Sequence, residues 1–146
     1  MLPCNNSRHS QFMTPASIHS RGKVMKENLL VDYSKAFAVD IFNLCNQIRE
    51  RKQGNILINQ LLKSGTSIGA NIHEANYASS KADFINKLQI ALKECYETEY
   101  WLELFKNTDT ISVHEFNGMI SQCFKLRRLL IASINTAKSN LPQQQE

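Results

Sequence analysis

Residues 60–75 read QLLKSGTSIGANIHEA. Leu61, Ile68 and Ile72, with Leu57 before them and Ser64 between, recur every three or four residues, the period of an amphipathic helix. Two glycines nevertheless stand inside that helix, and each costs about 1 kcal/mol relative to alanine. Something must offset the cost. Gly65 and Gly69 are one turn apart on one face, where a missing side chain lets a neighbouring backbone come close. Close helix packing is the expected reason. A phosphate-cradling loop does not fit, because it needs G-x-x-x-x-G-K-[ST] and Lys63 precedes both glycines.

The same period extends outward in both directions. A first helix over about 26–52 carries Leu30, Phe37, Ile41, Leu44 and Ile48, with Ser34 in the one gap. It ends in Arg49, Glu50, Arg51 and Lys52, followed by Gly54 as a stop. The second helix spans about 56–78 after Asn55 as N-cap. A third, about 81–107, follows Ser80 with Asp83 three residues on, and its stripe is Ile85, Leu88, Leu92, Cys95, Leu102 and Phe105, broken at Glu99. The fourth, about 113–138, opens on the capping box Ser112–Glu115 and carries Phe116, Met119, Cys123, Leu126, Leu130 and Ala137. Connections this short force consecutive helices side by side and antiparallel. The expected fold is all-α, an up-down-up-down four-helix bundle over residues 25–139. Residues 1–24, rich in Ser, Asn and His without a hydrophobic period, read as a disordered N-terminal tail, and 140–146 as a disordered C-terminal one.

Composition narrows the classes further. The chain has 146 residues, 42% of them apolar, and only eight glycines and prolines together, too few for a turn-rich all-β protein. No run of eighteen apolar residues offers a membrane span, and no secretory leader is visible. The net charge of +4 is mostly in the tail: residues 1–23 hold Arg8, Arg21 and Lys23 and no acid, leaving +1 for the rest. A near-neutral bundle is a weak polyanion binder. Cys4, Cys45, Cys95 and Cys123 show no zinc spacing, and three of them lie on apolar stripes, as reduced cysteines of a cytoplasmic protein do.

Catalytic patterns are missing from the sequence. No histidine follows a glutamate by three residues, as a di-iron bundle requires, and Tyr77 stands where H-E-x-x-H would need its second histidine. No nucleophile motif occurs, so neither an enzyme, a cofactor, a metal nor a small-molecule substrate is expected. Ser64, Asn71 and Glu74 read as a polar set on one side of the second helix, with partners among Lys93, Glu94, Glu97 and Thr98. Two basic groups stand out: Arg49, Arg51 and Lys52 at the end of the first helix, and Lys125, Arg127 and Arg128 midway along the fourth. They are the candidate nucleic-acid contacts, with Lys125 and Arg128 facing outward and Arg127 bordering the apolar rows. A second apolar row on the fourth helix (Ile120, Phe124, Ile131, Ile134) and Tyr96, Tyr100, Trp101 and Leu104 on the third exceed what one bundle buries, so self-association is expected.

The string QLLKSGTSIGANIHEA, with SKADFINKLQIALKECYETEYWLELF after it, resembles the 23S ribosomal RNA intervening-sequence proteins over about residues 26–138. The resemblance implies a small bacterial cytoplasmic bundle assembled as a ring-shaped homopentamer. A related accessory protein of diversity-generating retroelements forms a basic pentamer that binds nucleic acid and a reverse transcriptase. Here Ala75 replaces a glycine common in the family, and the bundle is less basic than those binders. The function so implied is a non-catalytic oligomer binding structured RNA through a basic outer surface. The alternative is a scaffold for a protein encoded nearby, with no nucleic-acid binding.

Overall fold

The structure, a computed structural model, describes residues 15–51 and 56–140, with side chains from Leu29 onward. It is a four-helix bundle: α1 (Pro15–Glu50), α2 (Leu57–Ala75), α3 (Lys81–Asn107) and α4 (Val113–Ser139). Among the described residues there is no strand. Gly54, Asn55 and Lys52, read above as stop, cap and basic contact, lie outside the described residues, as do 1–14 and 141–146. The helical backbone starts at Pro15, ahead of the period that begins at residue 26. Proline suits a first turn, where its missing N–H would have had no partner.

Helix ends follow local hydrogen bonding. Ser80 Oγ accepts from the Asp83 N–H at 3.1 Å, and Ser112 and Glu115 form the reciprocal capping box. α2 stops at Ala75 rather than near residue 78. The Asn76, Tyr77 and Ala78 N–H groups reach back three residues, to His73, Glu74 and Ala75, and so tighten the last turn. α3 ends in a turn that the sequence did not announce. Asp109 takes φ 53°, the Thr110 N–H donates to Phe105 O at 2.8 Å, and the Asp109 N–H donates to Lys106 O. This is a Schellman cap with aspartate where glycine is usual.

The four helices form a square in which α1 touches α2 and α4, and α3 touches α2 and α4, while the diagonal pairs do not meet. Direction follows from the contacts. Cys45, Ile41 and Ser34 of α1 meet Ile58, Gly65 and Gly69 of α2 in that order. Arg51, Asp40 and Tyr33 meet Glu115, Gln122 and Lys125. Lys87 and Thr98 meet Glu74 and Ser64, and Lys106 and Glu99 meet Phe116 and Arg127. Each neighbouring pair therefore runs antiparallel. The core fills with most of the predicted stripes, among them Leu30, Phe37, Ile41, Ile48, Leu126 and Leu130, whereas Leu57, Leu92 and Phe116 are only partly buried against it.

The glycines sit at the α1–α2 contact. A Cβ on Gly65 would lie 2.8 and 2.9 Å from the two branches of Ile41, and one on Gly69 would lie 3.4 Å from Ser34 O. The missing side chains are the space that α1 occupies.

Candidate functional site

Of the polar set read on α2, only Ser64 is buried. It accepts from Thr98 Oγ1 of α3 at 3.0 Å and donates to Leu61 O, so this hydroxyl pair is fully satisfied inside the bundle. The reading fails for the other two. Asn71 is half-buried and bonds Ser67 O on its own helix, and Glu74 is exposed and pairs with Lys87. Asn71 stands on the edge of the buried stripe, where a side chain can turn back onto its own helix, and Glu74 lies further out, so that it meets Lys87 of α3 at the surface rather than inside the bundle.

The basic residues do not form one patch. Arg51 makes a two-pronged pair with Glu115, whose other role is to cap α4. Those contacts hold the Glu115 carboxyl at about 2, far below its ordinary 4.5. The ionised form is thus favoured by folding, and its contribution is complete above pH 4.5 and disappears as pH falls from there to about 2. With Arg51 well exposed, solvent screening leaves about 0.2–1 kcal/mol. Glu115→Gln should keep the cap and remove most of this acid-sensitive stability, read as a smaller difference between denaturant midpoints at pH 7 and pH 3. An unchanged difference would mean that the pair contributes nothing.

Arg127 is bound in the same way. Its guanidinium donates to both Glu99 oxygens at 2.9 and 2.8 Å, lies 4.6 Å from the Phe124 ring and 5.4 Å from the Tyr96 ring. This pairing explains how Glu99 can interrupt the apolar stripe of α3. Burial nonetheless pushes its carboxyl above the ordinary range, with Arg127 opposing. Lys125 sits over the Tyr33 ring of α1, 3.7 Å from its centre, and contacts its hydroxyl. Arg49 donates to the amide oxygens of Asn46 (3.3 Å) and Asn59 (3.0 Å), and Arg128 is exposed. Neither has a carboxylate partner among the described residues. Lys125 and Arg128 face outward on a helix that carries four cations and no acid from 116 to 138. The end of α1 reaches only the start of α4, ten residues before Lys125, or about 15 Å along the helix.

The second apolar row divides. Ile120 and Ile134 turn into the core, whereas Phe124 and Ile131 stay exposed and continue into Tyr96 and Tyr100 of α3, 51% and 58% exposed. Tyr100 meets Trp101 edge-on at 4.9 Å. A second apolar area was not singled out in the sequence. On α1, Val39 and Phe42 are 58% and 51% exposed. Phe42 is two turns before Arg49, which reaches Asn59 of α2, so it shares the α1–α2 face. Plotting α1 beyond its core stripe would have found it.

These two areas lie on opposite sides of the square and at one level. Asp40 bonds Gln122, and the neighbouring Cys123 thiol donates to Cys95 O, so Val39 and Phe42 stand level with Tyr96 and Tyr100. Burial pushes the Cys45 thiol up to about 11, which disfavours its nucleophilic thiolate. Among the described residues, no group of three His, Cys, Asp or Glu side chains could hold a metal, and no helix is long and apolar enough to cross a membrane.

Comparison with known proteins matches residues 26–132 to the model of the 23S rRNA-intervening sequence protein family. Among solved structures, a protein with unknown function from the S23 ribosomal protein family of Bacteroides thetaiotaomicron VPI-5482 is 46% identical, and the match covers 75% of this chain and 98% of that one. The TM-score is 0.74. No curated protein matches.

Proposed function

The chain belongs to the 23S rRNA-intervening sequence protein family, and we propose that it works as a non-catalytic scaffold that assembles into a closed homo-oligomeric ring, a pentamer. One observation carries this reading: two exposed apolar areas on opposite faces, Val39 and Phe42 on one and Tyr96, Tyr100 and Phe124 on the other, at the same height, with Ile131 two turns further along α4. Different patches on opposite sides favour heterologous contacts, and these close into rings when the rotation permits. Contiguous exposed apolar surface of this kind marks interfaces. Light scattering across micromolar concentrations tests it. A mass near five times 16.7 kDa is expected, and a monomer throughout overturns the reading.

A second reading, binding of structured RNA, is favoured by the outward Lys125 and Arg128 on an acid-free stretch of α4. A ring would repeat that pair in every subunit. Phosphate contacts release condensed counterions, so affinity should fall steeply with salt. Lys125→Ala with Arg128→Ala should weaken binding alike for different RNAs and flatten the salt slope by about one per lost contact. No salt-sensitive binding by the wild type at low ionic strength removes this reading and leaves the scaffold intact.

A further inference from the structure

The way Arg127 is held is a template for a second site. On α3, Tyr96 and Glu99 are three residues apart, and with Phe124 of α4 they take a guanidinium: the Tyr96 and Phe124 rings 5.4 and 4.6 Å from it, both Glu99 oxygens accepting from Nη1. One turn further on, Tyr100 and Glu103 repeat the same spacing on the same helix, both exposed. A tyrosine and a glutamate three apart on a helix are surface neighbours. At this turn, α4 offers Ile120 and Phe124 in place of an arginine, and no cation pairs with Glu103 among the described residues.

The complementary group is on the opposite face. Arg49 is exposed, and Asn46 and Asn59 hold its guanidinium through neutral amide oxygens that leave its charge uncompensated. It stands beside the Val39–Phe42 area, toward the end of α1. Its height matches as well. Arg51 meets Glu115 at the start of α4, and Lys106 meets Phe116 in the same turn. Arg49, two residues before Arg51, is therefore level with Glu103, three residues before Lys106. When the apolar areas of adjacent copies meet at one height, Arg49 of one copy arrives over Tyr100 and Glu103 of the next.

We propose that Tyr100 and Glu103 form a guanidinium site and that Arg49 of an adjacent copy fills it, setting which faces pair in the ring. The contact rests on the ring reading. Arginine is the residue suited to it, since a planar fork can bond a carboxylate while stacking on a ring. Such a pair excludes the unwanted face-to-face arrangement in which Glu103 would meet its own kind.

Charge reversal tests the contact. Glu103→Arg should raise the dissociation constant of the assembly at least tenfold, by setting it against Arg49. Arg49→Glu should do the same against Glu103. The double variant, Arg49→Glu with Glu103→Arg, restores an opposite pair in every interface and should return within about threefold of wild type. Both positions are exposed, and circular dichroism melts of all three should match wild type. Arg49→Gln, which removes the charge while keeping an N–H donor at the α1–α2 seam, repeats the loss if reversal disturbs that seam. An assembled wild type indifferent to either reversal, or a double variant as weak as the singles combined, overturns this contact and leaves the ring standing. A wild type that never assembles overturns both.

Discussion

Gly65→Leu should cost several kcal/mol of folding stability. Even the first added carbon would lie 2.8–2.9 Å from Ile41, whose side chain is fully buried and has nowhere to retreat. Overpacking of a filled core usually costs about 1–3 kcal/mol, and the remaining leucine atoms need room that only separation of α1 from α2 could supply. Gly69→Leu should cost less, since Gly69 is half-buried and 3.4 Å from a backbone oxygen that can shift slightly. Gly118 provides the opposite sign. Nothing lies within 4 Å of a Cβ placed there, in the second turn of α4, so Gly118→Ala should stabilise by about 0.5–1 kcal/mol. Urea unfolding of the three variants reads all of these. Equal stability of Gly65→Leu and wild type would mean that α1 and α2 are further apart than described.

The glycines also show how much of the fold could be read in the residues. Their helical-face spacing, set against the cost of two interior glycines, pointed to close packing, and the stripes on either side pointed to four helices. What the spacing could not supply was the identity of the neighbour, because a helical period defines a face and not its partner. Glu99 illustrates the point. In α3 it is a break in the stripe, and only the approach of Arg127 from α4 turns it into half of a held ion pair. Asn71 and Glu74 failed for a related reason. They share a face with Ser64 to within one turn, but burial falls off quickly around a helix, and only Ser64 is deep enough to require Thr98. The candidate basic surface was legible as a list of cations and no further. Charge in sequence does not record cancellation in space, and Arg51 and Arg127 are each cancelled by an acid from another helix.

Phe42→Asp should abolish assembly at micromolar concentrations, with the dissociation constant rising at least a hundredfold, about 2.7 kcal/mol at 1.36 kcal/mol per decade. Interfaces draw most of their energy from a few large side chains at their centre, and aromatic anchors commonly exceed 2 kcal/mol on truncation. Phe42 is the largest apolar side chain exposed on the α1–α2 face, and the aspartate adds the cost of burying a charge among the opposing rings. Folding should be untouched. Its neighbour Ile41 is the buried residue of the pair, and Ile41→Ala should cost about 2–5 kcal/mol of stability, a contrast that separates loss of fold from loss of assembly. Tyr77 serves as the control for nonspecific stickiness. It is 78% exposed but lies past the end of α2, outside both apolar areas, so Tyr77→Ala should leave the mass unchanged. Sedimentation equilibrium on the three variants, with melts alongside, gives the outcome. Should Phe42→Asp assemble as wild type does, the α1–α2 face is not half of the interface, and the heterologous ring must be abandoned for contacts through α3 and α4 alone.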